Sequence, residues 1–109
     1  MTIKQWCKQI HAWAHRKGFY DEACQTFRGL PCEDKSGSIA GSLMLMVTEL
    51  AEACEADRRG DRDNLKEELA DVAIRLFNFC EAQRVDLEAE IAKKMAINEQ
   101  RGHRHGKRY

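Results

Sequence analysis

The sequence predicts an all-α fold, a four-helix bundle-like subunit, and three observations carry that expectation. Pro31 is the sole proline in 109 residues, so almost nothing interrupts helical hydrogen bonding. Strong helix formers (Ala, Leu, Glu, Lys and Arg) dominate the second half, while β-branched residues are sparse. Four stretches repeat their apolar residues at a spacing of three and four, with glycines or capping residues at their ends. A chain of 109 residues is read as one domain, spanning 1–109, with about 102–109 forming a basic tail.

The first helix is expected from near Thr2 to Lys17, because Ile3, Trp6, Cys7, Ile10, Trp13 and Ala14 share a face and Gly18 can close it. From Phe19 to Ser38 no period persists, and Gly29, Pro31 and Gly37 mark a long loop with a short helical turn near Asp21 to Phe27. A second helix follows from about Ile39 to Arg59 and stops at Gly60. A third is expected to begin at Asn64, which with Glu67 has the form of a capping box, and to run to about Gln83. A fourth starts after Asp86, an N-cap, and continues through Leu87, Ile91 and Met95 to about Arg101, before Gly102.

With 18 basic and 18 acidic residues the net charge is zero, so no global field favours nucleic acid or a membrane surface as partner. The five cysteines are widely spaced, without a CxxC pair, and are read as reduced thiols. The beginning of the chain lacks the apolar core of a signal peptide, and no apolar run approaches the roughly 20 residues that span a bilayer. The protein is therefore expected to be soluble and cytoplasmic.

On the second helix Leu43, Val47, Leu50 and Cys54 form one apolar stripe, the expected core face. On the opposite face Leu45, Glu49, Glu52 and Ala56 align, which puts two carboxylates among residues suited to burial. A buried carboxylate protonates or finds a cation, and two together point to a metal more than to one lysine. The third helix offers Leu65, Leu69, Val72, Leu76 and Cys80 as its core face, flanked one turn apart by Glu68 and Asp71. Two such helices packed antiparallel can gather Glu49, Glu52, Glu68 and Asp71 into a hard oxygen cage suited to magnesium or manganese. The plainer account is solvated helix faces, with Asp71 paired to Arg75 at i+4. On the fourth helix the Leu87–Ile91 stripe continues into Lys94, Asn98 and Arg101, turning cationic where phosphate oxygens could be bound. Favourable charges at a helix C-terminus explain the same residues more simply.

In sequence order, Glu49xxGlu52, Glu68xxAsp71 and Lys94xxxAsn98xxArg101 resemble the MazG-like, all-α nucleotide pyrophosphohydrolases, over roughly Leu43 to Arg101. The resemblance implies hydrolysis of a nucleoside triphosphate, often a noncanonical or deoxy one, to the monophosphate and pyrophosphate. It implies Glu49, Glu52, Glu68 and Asp71 as the magnesium-binding and catalytic set, and Lys94, Asn98 and Arg101 as substrate contacts. Whether one glutamate, such as Glu52, acts instead as general base is left open. It also implies assembly as a homodimer or homotetramer, in keeping with a second helix that is apolar on two sides and with Ile74 lying outside the third helix's core face.

Trp6 and Trp13, with His11 and His15 beside them, have the chemistry to stack on a base and bind its edges. Core packing is the simpler account of the tryptophans, and Trp13 is carried as a candidate substrate contact. His11 and His15 at i and i+4 lack a third ligand for a transition metal. Arg28, Lys35 and the Gly37–Ser38 pair are candidates for a loop closing over substrate. The tail residues His103, Arg104, His105, Lys107 and Arg108 are basic but lack interleaved aromatics, which disfavours a nucleic-acid role. The alternative of another class is a non-enzymatic helical interaction module whose tail binds an acidic partner. A ferritin-like di-metal oxidase is disfavoured, because no histidine falls in the required Glu-x-x-His position.

Overall fold

The computed structural model describes residues 1–19 and 39–108. These form α1 (Ile3–Arg16), α2 (Ile39–Arg58), α3 (Arg62–Ala82) and α4 (Leu87–Glu99), followed by a 3-10 turn over His103–Gly106. No strand occurs among the described residues. The expected turn at Asp21 to Phe27 and the loop candidates Arg28, Lys35, Gly37 and Ser38 lie outside them.

Each helix end has a local cause. Thr2 caps α1 in a reciprocal pair with Gln5: the Gln5 amide donates to Thr2 Oγ1 at 3.1 Å, and the Thr2 amide donates to Gln5 Oε1 at 2.8 Å. Arg59, Gly60 and Asp61 reverse the chain between α2 and α3, and Gly60 takes φ of 72°, a left-handed conformation that suits glycine. The N-cap of α3 is Asp61, whose carboxylate accepts from the Asn64 amide at 3.0 Å, and not Asn64 as the sequence suggested. Asn64 sits within the first turn, where its side chain is free to work elsewhere. Asp86 caps α4 as expected, accepting from the Ala89 amide at 3.1 Å. The last helix ends at Glu99, two residues short of the expected boundary.

α3 is the centre of the subunit, packing against α2 on one side and α1 on another, while α4 leans lightly on α1. Among the described residues the buried side chains are small: Cys7 and Ala14 of α1, Ala53 and Ala56 of α2, Cys80 and Ala82 of α3. Small contact residues let helix backbones approach closely.

The expected core face of α2 is reversed in the subunit. Leu43, Val47 and Leu50 are 44%, 48% and 49% exposed, and Cys54 is exposed too, whereas the face bearing Glu49, Ala53 and Ala56 packs inward. Helical period establishes which residues share a face but not what covers it, and here the more apolar stripe points away from the other described helices. The expectation for α3 holds in part: Cys80 is buried, Leu65, Val72 and Leu76 are half-buried, and Leu69 is exposed. No described helix is long and apolar enough to cross a membrane.

Candidate metal and nucleotide site

The antiparallel α2–α3 pair brings together acids that lie far apart in sequence. One carboxylate oxygen from each of Glu49, Glu68 and Asp71 lies within 4.8 Å of the others. The ExxE and ExxD spacings make this possible, because residues three apart lie on adjoining positions of a helix face. Glu52 stands beside this group, exposed, yet near enough to Glu49 and Glu68 to influence the titration of both.

The local field is uneven. Arg75 of α3 donates from Nε to Glu49 Oε1 at 2.7 Å, and Glu49 is 12% exposed at its side chain. This hydrogen bond holds the Glu49 carboxyl below the usual glutamate range, against the opposing effect of its burial. Glu68 moves the other way. Desolvation pushes its carboxyl up, and the neighbouring Glu52 and Glu49 add to the effect. Asn64 donates to Glu68 Oε1 at 3.2 Å and in turn accepts from Arg59 at 3.0 Å, so a chain of polar side chains fixes that carboxylate. Glu68 Oε2, by contrast, is buried and receives no hydrogen bond among the described residues. A buried acid oxygen without a donor is costly unless a proton or cation occupies its lone pairs. Three converging carboxylates, one of which also carries an orphaned oxygen, fit magnesium or manganese.

A cavity of ≈210 Å³ opens beside these acids, lined by Trp13, Phe19, Glu49, Asp71, Arg75 and Asn78, among others. The Trp13 and Phe19 rings lie 5.8 Å apart between centroids and form an aromatic wall, so Trp13 is placed next to the acid cluster. On α4, Lys94 and Arg101 are exposed and Asn98 is half-buried, with an Oδ1 that accepts no hydrogen bond among the described residues. Because α4 leans on α1, these three make no hydrogen bond or ion pair with the carboxylates within the described part of the subunit. His11 and His15 are half-buried and bonded to each other.

Sequence reasoning missed two parts of the site. Arg75 entered only as an i+4 partner of Asp71 in the plainer account, but its bond goes across the helix pair to Glu49. Asn78 was not singled out at all. Their spacing offered a signal, since Asp71, Arg75 and Asn78 recur at i, i+4 and i+7 and so share one face of α3.

The MazG nucleotide pyrophosphohydrolase domain model matches residues 40–106, and the chain belongs to that family. It is therefore a hydrolase acting on phosphoric anhydrides, which displaces the alternative of a non-enzymatic interaction module. No curated protein and no solved structure matches it.

Proposed function

We propose that this protein hydrolyses a (deoxy)nucleoside triphosphate to the monophosphate and pyrophosphate, in a magnesium-dependent reaction that serves the cytoplasmic nucleotide pool. The observation that carries the reading is the convergence of Glu49, Glu68 and Asp71, with a buried Glu68 oxygen that accepts no hydrogen bond among the described residues. Glu49, Glu68 and Asp71, with Glu52 at the margin, are the residues that would hold the ion; manganese suits the same donors. When bound, the ion supplies charge neutralisation and in-line alignment of the triphosphate with water, which phosphoryl chemistry needs more than a protein nucleophile.

The chain's own groups have distinct tasks in this reading. Asn64 and Arg75 keep Glu68 and Glu49 oriented before substrate arrives, so little rearrangement is needed on binding. Glu52, exposed and outside the tightest group, is the carboxylate left to accept the proton of the attacking water as the α–β anhydride bond breaks. Trp13 offers its face to the base, and Lys94, Asn98 and Arg101 take the triphosphate.

We assign the working form to a homodimer or homotetramer. The exposed Leu43, Val47 and Leu50 stripe supports this, joined on α4 by Ile91, Met95 and Ile97 at 41%, 58% and 50% exposure. A second copy covers such faces economically and offers a second α4 to each carboxylate group.

Product analysis tests the reaction. Nucleoside triphosphates incubated with and without magnesium should give monophosphate and pyrophosphate only when the metal is present. Release of diphosphate and phosphate, or turnover unaffected by a chelator, would overturn the proposal.

A further inference from the structure

One residue lining the cavity, Asn78, belongs to a polar chain whose direction follows from hydrogen-bond chemistry. His11 Nδ1 lies 2.9 Å from Asn78 Oδ1, and His15 Nε2 lies 3.1 Å from His11 Nε2. A carbonyl oxygen only accepts, so His11 must carry its proton on Nδ1. Neutral His11 then presents Nε2 as an acceptor, and His15 must supply the proton of the second bond. The chain runs from His15 to His11 to Asn78. Burial, with His11 close by, lowers the affinity of His15 for a second proton and so favours its neutral, singly protonated ring.

One consequence falls on Asn78. Its carbonyl is committed to His11, its Nδ2 group donates to no other described residue, and the side chain lines the cavity that also holds the Trp13–Phe19 wall and Asp71. An amide on its own could turn either end toward a ligand; with Oδ1 on His11, the Nδ2 end is the one that remains. We propose that His15, His11 and Asn78 form a polarity relay that presents an N–H donor to the edge of the bound base, selecting bases with an oxo group there (uracil, thymine, hypoxanthine, guanine) over those with an amino group (cytosine, adenine). The inference rests on the nucleotide reading of this site and adds the base class. Asn78 is the contact residue; His11 and His15 are positioning residues that act through it. An amino group facing a fixed donor leaves two donors opposed, a mismatch that sites built on hydrogen bonding reject strongly.

Asn78→Asp tests the relay with little change of shape. The carboxylate keeps an oxygen for His11 Nδ1–H and replaces only the pocket-facing donor by an acceptor. The measurement is calorimetric binding of the α,β-imido analogues of UTP, CTP, ITP and ATP, read as the ratios UTP to CTP and ITP to ATP. Added negative charge weakens all four together and cancels in the ratios. The native protein should favour the oxo member of each pair, and Asn78→Asp should shift both ratios toward the amino member by about ten- to a hundredfold, the discrimination that one such contact gives. His11→Ala, which frees the amide to turn, should bring both ratios close to one. Ratios that move less than about twofold in either variant overturn the relay, as does a native protein that prefers the amino member or binds none of the four. Pyrophosphate release from the natural triphosphates is followed alongside. Selective binding without magnesium-dependent release would remove the reaction and keep the relay; release with unchanged base ratios would do the reverse.

Discussion

Arg75→Gln removes the guanidinium that holds Glu49 in a group of carboxylates, and its consequences can be sized from the structure. The bond is 2.7 Å long, the Glu49 side chain is 12% exposed and Arg75 is 39% exposed. Breaking a fully buried ion pair costs about 3–5 kcal/mol and losing an exposed one about 0–1 kcal/mol. With one partner shielded and the other partly wetted, this pair falls between them, at about 1–2 kcal/mol. For a chain of this length that corresponds to a fall in Tm of roughly 5–10 °C at pH 7 in a chelating buffer. The pH dependence has a definite sign. Glu49 is held below the ordinary value of 4.5, so the stabilisation is fully present above that value and disappears as pH falls through the depressed one. The gap between native protein and variant should therefore narrow as pH falls below 4.5. Magnesium should also narrow it at pH 7, because an ion among the carboxylates replaces the missing countercharge, making the metal-induced rise in Tm larger in the variant than in the native protein. Thermal denaturation with and without magnesium, at pH 7 and pH 3.5, supplies all the values. Equal Tm for the two proteins at pH 7 without metal, or equal magnesium increments, would refute the reasoning.

Other perturbations separate the parts of the site. Asp71→Asn and Glu68→Gln keep shape but remove ligand charge, so each should lower magnesium-dependent turnover at least a hundredfold with the helical circular dichroism unchanged; retained turnover in both would dismiss the carboxylate group as the metal site. Arg101→Ala should weaken binding of an imido triphosphate more than that of the monophosphate, and equal losses would take Arg101 off the phosphates. Since α4 stands away from the carboxylates within the described part of a subunit, coassembled Glu49→Gln and Arg101→Ala chains should regain about a quarter of native activity, the statistical share of intact sites when the two chains assort at random into dimers; no recovery would mean that each site draws on one chain. Asp61→Ala should lower stability by about 1 kcal/mol in chemical denaturation, more than removal of an ordinary surface acid, because it uncaps α3.

The helices were legible because their signals are local. Gly18, Gly60 and Asp86 mark ends by backbone conformation or capping, and those requirements operate within a few residues. The N-cap of α3 was misplaced because Asp61 and Asn64 are both good capping residues three positions apart, and only the built turn shows which one accepts. The inner face of α2 was hidden for another reason. Leu43, Val47 and Leu50 have the stronger apolar pattern, but the subunit packs on the alanines, and no periodicity tells an intrasubunit core from a face offered to another molecule. The acidic pairs could be found because ExxE and ExxD fix neighbours along a helix. The Arg75–Glu49 bond could not, since it joins residues 26 positions apart and depends on how two helices meet. Asn78 was invisible for a similar reason: its importance comes from the histidines of α1, 67 positions away from His11.

The alanines between α2 and α3 have a further effect on chemistry. Ala53 is 5% exposed and Ala56 is fully buried on the same helix that carries Glu49 and Glu52, so their methyl groups set how near one backbone comes to the other. The width of the opening between the acids of the two helices is thus governed by side chains that never touch an ion. Divalent ions differ in radius and in tolerance of irregular coordination more than in the oxygen atoms they accept. Ion preference in this architecture is accordingly a property of the helix spacing: one methylene added at Ala56 would retune the opening while every carboxylate stayed in the sequence.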